Sequence, residues 1–173
     1  IVFDYAARFD GVSLNDCLLS GPDTTAELVD ILLRFRKGRI ALAGDIEEMF
    51  LQVRIPPKDR SMMKFLWWDS DDLEKEPVVY RMTVHPFGAT SSPFCANFAL
   101  KRAAEDGENA MSEVSRRILN EDVYVDDCIT SLDNVAEAAK VVDELVGVLR
   151  KAGFGLRKWT SNNREVLRDL PKS

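Results

Sequence analysis

The stretch VYVDDCIT, at residues 123–130, has two short apolar runs on either side of an acidic pair. Such runs around a two-residue centre are typical of a tight β-hairpin, which here carries the carboxylates of Asp126 and Asp127 at its tip. An acidic pair alone says little about function, because most such pairs lie in solvated turns. Its meaning depends on the elements around the hairpin.

Helices and strands alternate on the amino-terminal side of this hairpin. A helix is predicted from Pro22 to Gly38, because apolar residues recur there at helical spacing: Leu28, Ile31, Leu32 and Phe35. A short apolar strand at residues 39–44 follows and delivers Asp45 at its carboxyl end. Further strands, at about residues 52–55, 63–68 and 78–82, form a β-rich insertion.

Start and stop signals mark three more helices. Ser92-Pro93 predicts an N-cap followed by proline at the first position of a helix that reaches about residue 105. A polar helix is predicted at residues 111–119. Asn134 and Glu137 begin a long helix that ends at Gly153, and a last strand covers residues 156–159.

The order of these elements predicts an α+β fold. With the insertion and the polar helix set aside, the order is strand, helix, strand, strand, helix, strand, which is the ferredoxin-like split βαβ sheet with helices on one face. That plan brings the end of the first strand beside the tip of the central hairpin. Asp45 is therefore expected to meet Asp126 and Asp127, although they are far apart in sequence.

Three aspartates at one place suit metal-dependent phosphoryl chemistry. Two divalent cations about 4 Å apart can be held by shared carboxylates, one activating an attacking oxygen and the other stabilising the leaving oxygen. Magnesium needs few protein carboxylates when substrate phosphates complete its ligands. The sequence therefore predicts a magnesium site, with manganese as a substitute.

Composition and charge limit the class of protein. The 173 residues are 46% apolar and 30% charged, which favours one globular domain over disorder. No signal peptide or long apolar run is evident, and the three cysteines, at odd number and wide spacing, predict free thiols. We expect an intracellular, cytoplasmic protein without membrane partners. The net charge of −6 counts against nucleic-acid binding when it is taken alone.

Several sequence blocks, in order, resemble the reverse transcriptases of retroelements. They are residues 45–50 (DIEEMF), 85–93 (HPFGATSSP) and 124–127 (YVDD). Flanking segments resemble the BEL/Pao branch of long-terminal-repeat retrotransposons: residues 2–4, 13–16, 21–23, 65–68, 80–82 and 158–162. The resemblance covers nearly the whole chain.

The resemblance implies a polymerase palm with part of the fingers subdomain. Residues 1–38 and 52–88 would be fingers-like, and residues 39–51 and 89–173 would form the palm. Asp45 and Asp126 would bind two Mg²⁺ ions, and Asp127 would complete the acidic site. The implied reaction is RNA-directed DNA synthesis, in which a primer 3′-oxygen attacks the α-phosphorus of a deoxynucleotide.

The resemblance also places side chains around the nucleotide, each with a structural alternative. Phe50 would lie under the sugar and exclude a 2′-hydroxyl, or would be a core residue. Gly88 would line the nucleotide pocket, or would be a turn glycine. Phe87 stands where retroviral enzymes often have glutamine, so its contacts to sugar and template differ.

The hairpin and the last strand contribute further candidate residues. Tyr124 begins the YVDD block, and Val125 would pack near the primer terminus or within the strand pair. Lys158 would protonate the leaving pyrophosphate, or would be a solvated or structural lysine.

The implied partners are an RNA or DNA template with its primer, deoxynucleoside triphosphates, and the rest of a pol polyprotein with its thumb and ribonuclease H, within virus-like particles. We expect the isolated chain to be poorly active, because the resemblance places other parts of the polymerase upstream and downstream of it. Two alternatives stay open: an inactive transposon-derived fragment that keeps only the palm fold, and another palm-type nucleotidyl transferase.

Overall fold

The computed structural model describes residues 3–70 and 72–169. Its strands are β1 (Arg8–Phe9), β2 (Val12–Ser13), β3 (Ile40–Glu47), β4 (Lys64–Trp67), β5 (Val78–Arg81), β6 (Val123–Tyr124), β7 (Asp127–Leu132) and β8 (Gly155–Ser161). Its α-helices are α1 (Leu28–Phe35), α2 (Ser92–Asp106), α3 (Glu113–Glu121), α4 (Val135–Lys151) and α5 (Arg164–Asp169). Residues 1, 2, 71 and 170–173 lie outside the described part. The end of the predicted palm, at residue 173, and the start of the flanking segment at residues 2–4 therefore fall outside it.

The central sheet is antiparallel, with strand order β6-β7-β3-β8. Helix α2 lies between β3 and β6 in the chain, and α4 lies between β7 and β8. This is the predicted split βαβ arrangement, so the α+β fold class is confirmed. Buried and half-buried residues alternate along β3, and its buried face shares one apolar core with α2, α3 and α4.

A second, much smaller apolar cluster lies under the β-rich insertion. It consists of Tyr5, Ile55, Met63 and Ala89. The hairpin of β4 and β5 pairs only within itself among the described strands and is mostly exposed. The proposed division into fingers-like and palm parts stays a prediction.

Several predicted element boundaries are wrong. Strand β3 continues past Asp45 to Glu47, so Asp45 lies within the strand instead of at its end. Helix α1 begins at Leu28, because Asp23 accepts a hydrogen bond from the Thr25 N–H (2.9 Å) and Lys101 binds the Thr24 carbonyl (2.8 Å), which holds that segment outside the helix. The strand at 52–55 is reduced to one bridge between Arg54 and Val84, since a 3₁₀ turn occupies Met49–Gln52.

The N-cap of α2 is Ser91 instead of Ser92. The buried Ser92 hydroxyl donates to the Pro86 carbonyl at 2.7 Å and is therefore engaged away from the helix end. The Asn134 cap is confirmed, because its side-chain oxygen accepts from the Glu137 N–H at 2.9 Å. Sequence analysis missed the β1-β2 hairpin and α5.

The cysteines are free thiols, as predicted. Burial, with the nearby carboxylates of Asp122 and Asp127, raises the pKa of the Cys128 thiol to about 12, so this thiol is unreactive. None of the helices in the described ranges is long and apolar enough to cross a membrane.

Candidate active site

The YVDD hairpin is formed as the sequence predicts. Val123 pairs with Cys128 and Tyr124 pairs with Asp127, which leaves Val125 and Asp126 as a two-residue loop. Val125 has a φ of 56°, the left-handed region that β-branched residues rarely adopt. A valine held there stores about 1–3 kcal/mol of backbone strain. The surrounding sheet therefore fixes this loop against its local preference.

Strand β3 brings the third aspartate to the hairpin tip. Asp45 lies directly opposite Asp127 in the β3-β7 register. The next residue, Ile46, donates its backbone N–H to the Asp126 carbonyl at 2.7 Å. Residues directly opposite each other in an antiparallel pair have Cβ atoms about 4.5–5.5 Å apart. The backbone at Asp45 thus lies beside the hairpin tip that carries Asp126 and Asp127, as predicted.

The negative charges of the three aspartates act on each other. Asp127 is exposed, yet partial burial, followed by the carboxylates of Asp126 and Asp45, raises its pKa above the usual aspartate range. Lys158 acts in the opposite direction. A divalent cation would relieve this repulsion, so the donor set and its electrostatics fit magnesium.

Lys158 already contacts this carboxylate cluster. Its ammonium group donates to an Asp45 carboxylate oxygen at 3.0 Å, and this bond raises the pKa of Lys158. Within residues 3–70 and 72–169, no three metal-ligating side chains stand close enough to form a ready-made metal site. Such a site would be completed by side-chain movement and by substrate phosphates.

A bulge in β8 aims Lys158 at Asp45. The β3-β8 register shifts between Ala43 and Asp45, and Lys158 has a φ of 52°. Bulges are common beside active sites, where they redirect a side chain. Gly44 lies at the shift, and a Cβ atom there would stand 2.9 Å from a ring carbon of Trp159. The glycine therefore allows the close approach on which the bulge depends.

The candidate sugar-facing residues contact each other. Phe50 is 8% exposed on the 3₁₀ turn that follows β3, and Phe87 is 52% exposed. Their ring centroids lie 4.8 Å apart at an interplanar angle of 79°, an edge-to-face arrangement. Phe87 therefore covers Phe50, in place of the amide expected from retroviral sequences.

Position 88 requires glycine, because its backbone conformation and close surroundings disfavour a side chain. Its φ is 91°, and a Cβ atom would lie 3.1 Å from the Phe3 carbonyl oxygen. Asn15 secures the loop on both sides, accepting from the Thr90 N–H and donating to the Gly88 carbonyl, each at 3.0 Å. Sequence analysis did not assign this role to Asn15, and its place in the flanking segment at residues 13–16 (SLND) was the available signal.

A hydrogen-bond network around Asp122, which sequence analysis also missed, supports the base of the hairpin. Asp122 is 1% exposed and accepts hydrogen bonds from Arg34 (2.7 Å), Arg117 (3.0 Å) and Thr130 (2.8 Å). Its backbone carbonyl also accepts from the Ile129 N–H at 2.9 Å. The network joins α1, α3 and β7 at the base of the hairpin, and no sequence pattern links residues 34 and 122.

The family model for reverse transcriptase (RNA-dependent DNA polymerase) matches residues 8–159. The chain belongs to the reverse transcriptase family. The matched range contains the three aspartates and Lys158, so family membership and the geometry concern the same residues. Membership of this family agrees with the predicted nucleotidyltransferase class of enzyme, whereas the activity itself, the BEL/Pao branch and the individual residue roles stay predictions. No curated protein matches the sequence significantly.

Solved structures of foamy virus protease-reverse transcriptase share the fold. The structure in complex with an RNA/DNA hybrid has a TM-score of 0.68 at 19% identity. The match covers 92% of this chain and 19% of the foamy virus chain. One in complex with double-stranded DNA has a TM-score of 0.64 at 17% identity, covering 83% and 22%. The reverse transcriptase domain described here thus spans about a fifth of those proteins.

Proposed function

We propose that this domain carries the catalytic centre of an RNA-directed DNA polymerase that adds deoxynucleotides to a primer 3′-hydroxyl by two-metal nucleotidyl transfer. The observation that carries the proposal is the register that sets Asp45 against Asp127, with Asp126 bonded to the residue after Asp45. In a reverse transcriptase domain this is the place where carboxylates are needed for divalent cations. The family match supports the activity itself.

Asp45, Asp126 and Asp127 would hold the cations, which supply activation of the attacking oxygen and neutralisation of the phosphate charge. The protein's own contribution is positioning. The β3-β7 pairing fixes Asp45 and Asp127 relative to each other, and the strained loop at Val125 fixes Asp126. Phosphoryl transfer depends mainly on such positioning and on charge stabilisation.

Phe50 and Phe87 would form the floor of the nucleotide site. Their edge-to-face contact holds the buried Phe50 ring in one orientation. A ring fixed in this way would resist the extra volume of a 2′-hydroxyl and so favour deoxynucleotides. Gly88 follows directly, and its bare backbone permits close approach by a substrate.

The finer assignment to a BEL/Pao retrotransposon pol polyprotein, acting in the cytoplasm or in virus-like particles, is part of this proposal. The resemblance of the KWTSN segment at residues 158–162 to that branch supports it, and the segment is part of the sheet edge. Asn162 accepts from the Ala41 N–H at 2.9 Å and donates to the Arg39 carbonyl at 3.0 Å. The proposed partners are a primed RNA or DNA template and the thumb and ribonuclease H of the same polyprotein.

Calorimetric Mn²⁺ titration with a deoxynucleotide and a primer-template present tests the proposal. We expect the double substitution Asp126→Asn plus Asp127→Asn to abolish the binding that the native chain shows. Asp143→Asn, at an exposed position on α4, is the matched control and should bind as the native chain does. Equal binding by all three proteins would contradict the proposal and favour an inactive fragment that keeps only the fold.

A further inference from the structure

The contact between Lys158 and Asp45 has a geometry that competes with a metal ion. The ammonium nitrogen lies 3.0 Å from Oδ2 of Asp45, whose side chain is 29% exposed, while the lysine side chain is 67% exposed. A divalent cation at Asp45 needs carboxylate oxygens as ligands. A divalent cation at Asp45 would therefore compete with the Lys158 ammonium group for the same carboxylate.

We propose that Lys158 is a resident counter-ion of the acidic site, which binds Asp45 in the metal-free protein and is displaced when a divalent cation binds. The inference rests on the proposed function, since it takes Asp45 as a metal ligand. It adds a role that precedes the reaction: without metal, Lys158 reduces the repulsion among the three carboxylates, and it competes with a divalent cation for Asp45.

The backbone holds Lys158 in this role. Its φ of 52° lies in the left-handed region, and the bulge between β3 and β8 maintains it there. The contact is thus built into the sheet. Without a counter-ion, the charges of Asp45, Asp126 and Asp127 would repel each other at the hairpin tip.

The residue type suits a contact that must be released. An ammonium group is a compact charge and donates one hydrogen bond to the described part of the chain here, whereas a guanidinium group can bind a carboxylate with two parallel hydrogen bonds. An exposed ion pair contributes little free energy, so an incoming divalent cation can replace it.

The neighbouring Arg157 provides a matched control. It carries the same charge on the same strand and is exposed. Its backbone lies opposite Asp45 in the sheet, but its side chain forms an ion pair with Glu47 at 3.0 Å. Arg157→Met removes a nearby positive charge and leaves the Asp45 contact intact. Any effect of Lys158→Met beyond that of Arg157→Met reports the contact itself.

The test is Mn²⁺ binding at pH 7 and low salt, with free Mn²⁺ measured by electron paramagnetic resonance. We expect Lys158→Met to bind Mn²⁺ about two- to five-fold more tightly than the native chain, the range that an exposed ion pair contributes. Arg157→Met should show a smaller change, and Lys158→Arg should bind no more tightly than the native chain. Asp45→Asn should abolish Mn²⁺ binding, which shows that the measured site includes Asp45. Circular dichroism checks that each variant is folded.

Unchanged or weaker binding by Lys158→Met, or an equal gain in Arg157→Met, overturns the counter-ion role and leaves the proposed function standing. Mn²⁺ binding that does not depend on Asp45 overturns both. A second readout needs no substitution: the nuclear magnetic resonance signal of the Lys158 ammonium group should shift during a Mg²⁺ titration. A signal that stays fixed while Mg²⁺ binds at Asp45 also contradicts displacement.

Discussion

At the scale of single residues, the site depends on a glycine beside its first aspartate. Gly44 precedes Asp45, and a Cβ atom there would lie 2.9–3.1 Å from three ring carbons of Trp159. We expect Gly44→Ala to move the indole and disturb the bulge, lowering the free energy of unfolding by about 1–3 kcal/mol, as overpacking does. Urea unfolding followed by tryptophan fluorescence measures this loss.

Gly147→Ala is the control for that substitution. Gly147 lies within α4, and a Cβ atom there would meet nothing within 4 Å among the described residues. The same change should raise the free energy of unfolding by up to about 1 kcal/mol, because alanine favours helix. Destabilisation of equal size at both positions would show that the Trp159 contact does not decide the outcome.

The sequence predicted the meeting of the aspartates better than it predicted their surroundings. Asp45, Asp126 and Asp127 follow from strand order, because the split βαβ plan fixes which strand ends are neighbours. The bulge at Lys158 does not follow from strand order, since a lysine in the left-handed conformation leaves no pattern in the sequence. Gly44 did give a signal, because an isolated glycine in a strand suggests a bulge or close backbone approach.

At the scale of elements, one carboxylate joins two helices. Glu144 on α4 accepts hydrogen bonds from the Ser112 N–H (2.9 Å) and from the hydroxyls of Ser112 and Ser115 (both 2.6 Å) at the start of α3. Burial alone would raise the pKa of Glu144, but these hydrogen bonds and Lys140 lower it overall. The charged form is therefore the one that holds the helices together.

This lowered pKa predicts an acid-sensitive contact. A group whose pKa is lower in the folded state stabilises the protein above its unfolded pKa, about 4.3 for glutamate, and loses that contribution as pH falls through the folded pKa. We expect Glu144→Gln to cost about 1–2 kcal/mol at pH 7. The difference from the native chain should shrink toward zero in acid.

Chemical unfolding at a series of pH values checks this dependence. Glu76→Gln, at an exposed loop position, serves as the control and should follow the native profile throughout. A Glu144→Gln deficit that stays constant from pH 7 into acid would mean that the lost contribution is not the carboxylate charge.

Element boundaries show where sequence patterns fail and why. The Asn134 cap was predictable because its hydrogen bond is local, three residues along the chain. The start of α1 and the cap of α2 were not, because distant partners decide them. Lys101 reaches back to Thr24, and Ser92 gives its hydroxyl to Pro86. A local helix signal fails where a partner distant in sequence forms a hydrogen bond with the group on which that signal depends.

At the scale of the whole molecule, stability is distributed unevenly. The main core links β3, β7 and β8 to α2, α3, α4 and α5. In the part of the chain that the structure describes, only four buried apolar residues support the insertion that contains β4 and β5. Regions with few buried apolar contacts open locally at lower free energy than the rest of a protein. The insertion should therefore open while the acidic site stays folded.

Native-state hydrogen exchange measures this difference directly. We expect amides of β4 and β5 to exchange through local opening, and those of β3 and β7 to exchange only through global unfolding. Ile55→Ala should speed exchange in β4 and β5 alone, because Ile55 is 3% exposed within the small cluster. Leu145→Ala, in the main core, should lower the protection of β3 and β7 by about 2–5 kcal/mol.

If Ile55→Ala speeds exchange in β3 as much as in β4, the two clusters unfold as one unit, and the division into fingers-like and palm parts has no energetic basis. If exchange is independent, the insertion can adjust to a template without disturbing Asp45, Asp126 and Asp127. A polymerase needs that separation, because its nucleic acid moves at every step while its carboxylates must keep their positions.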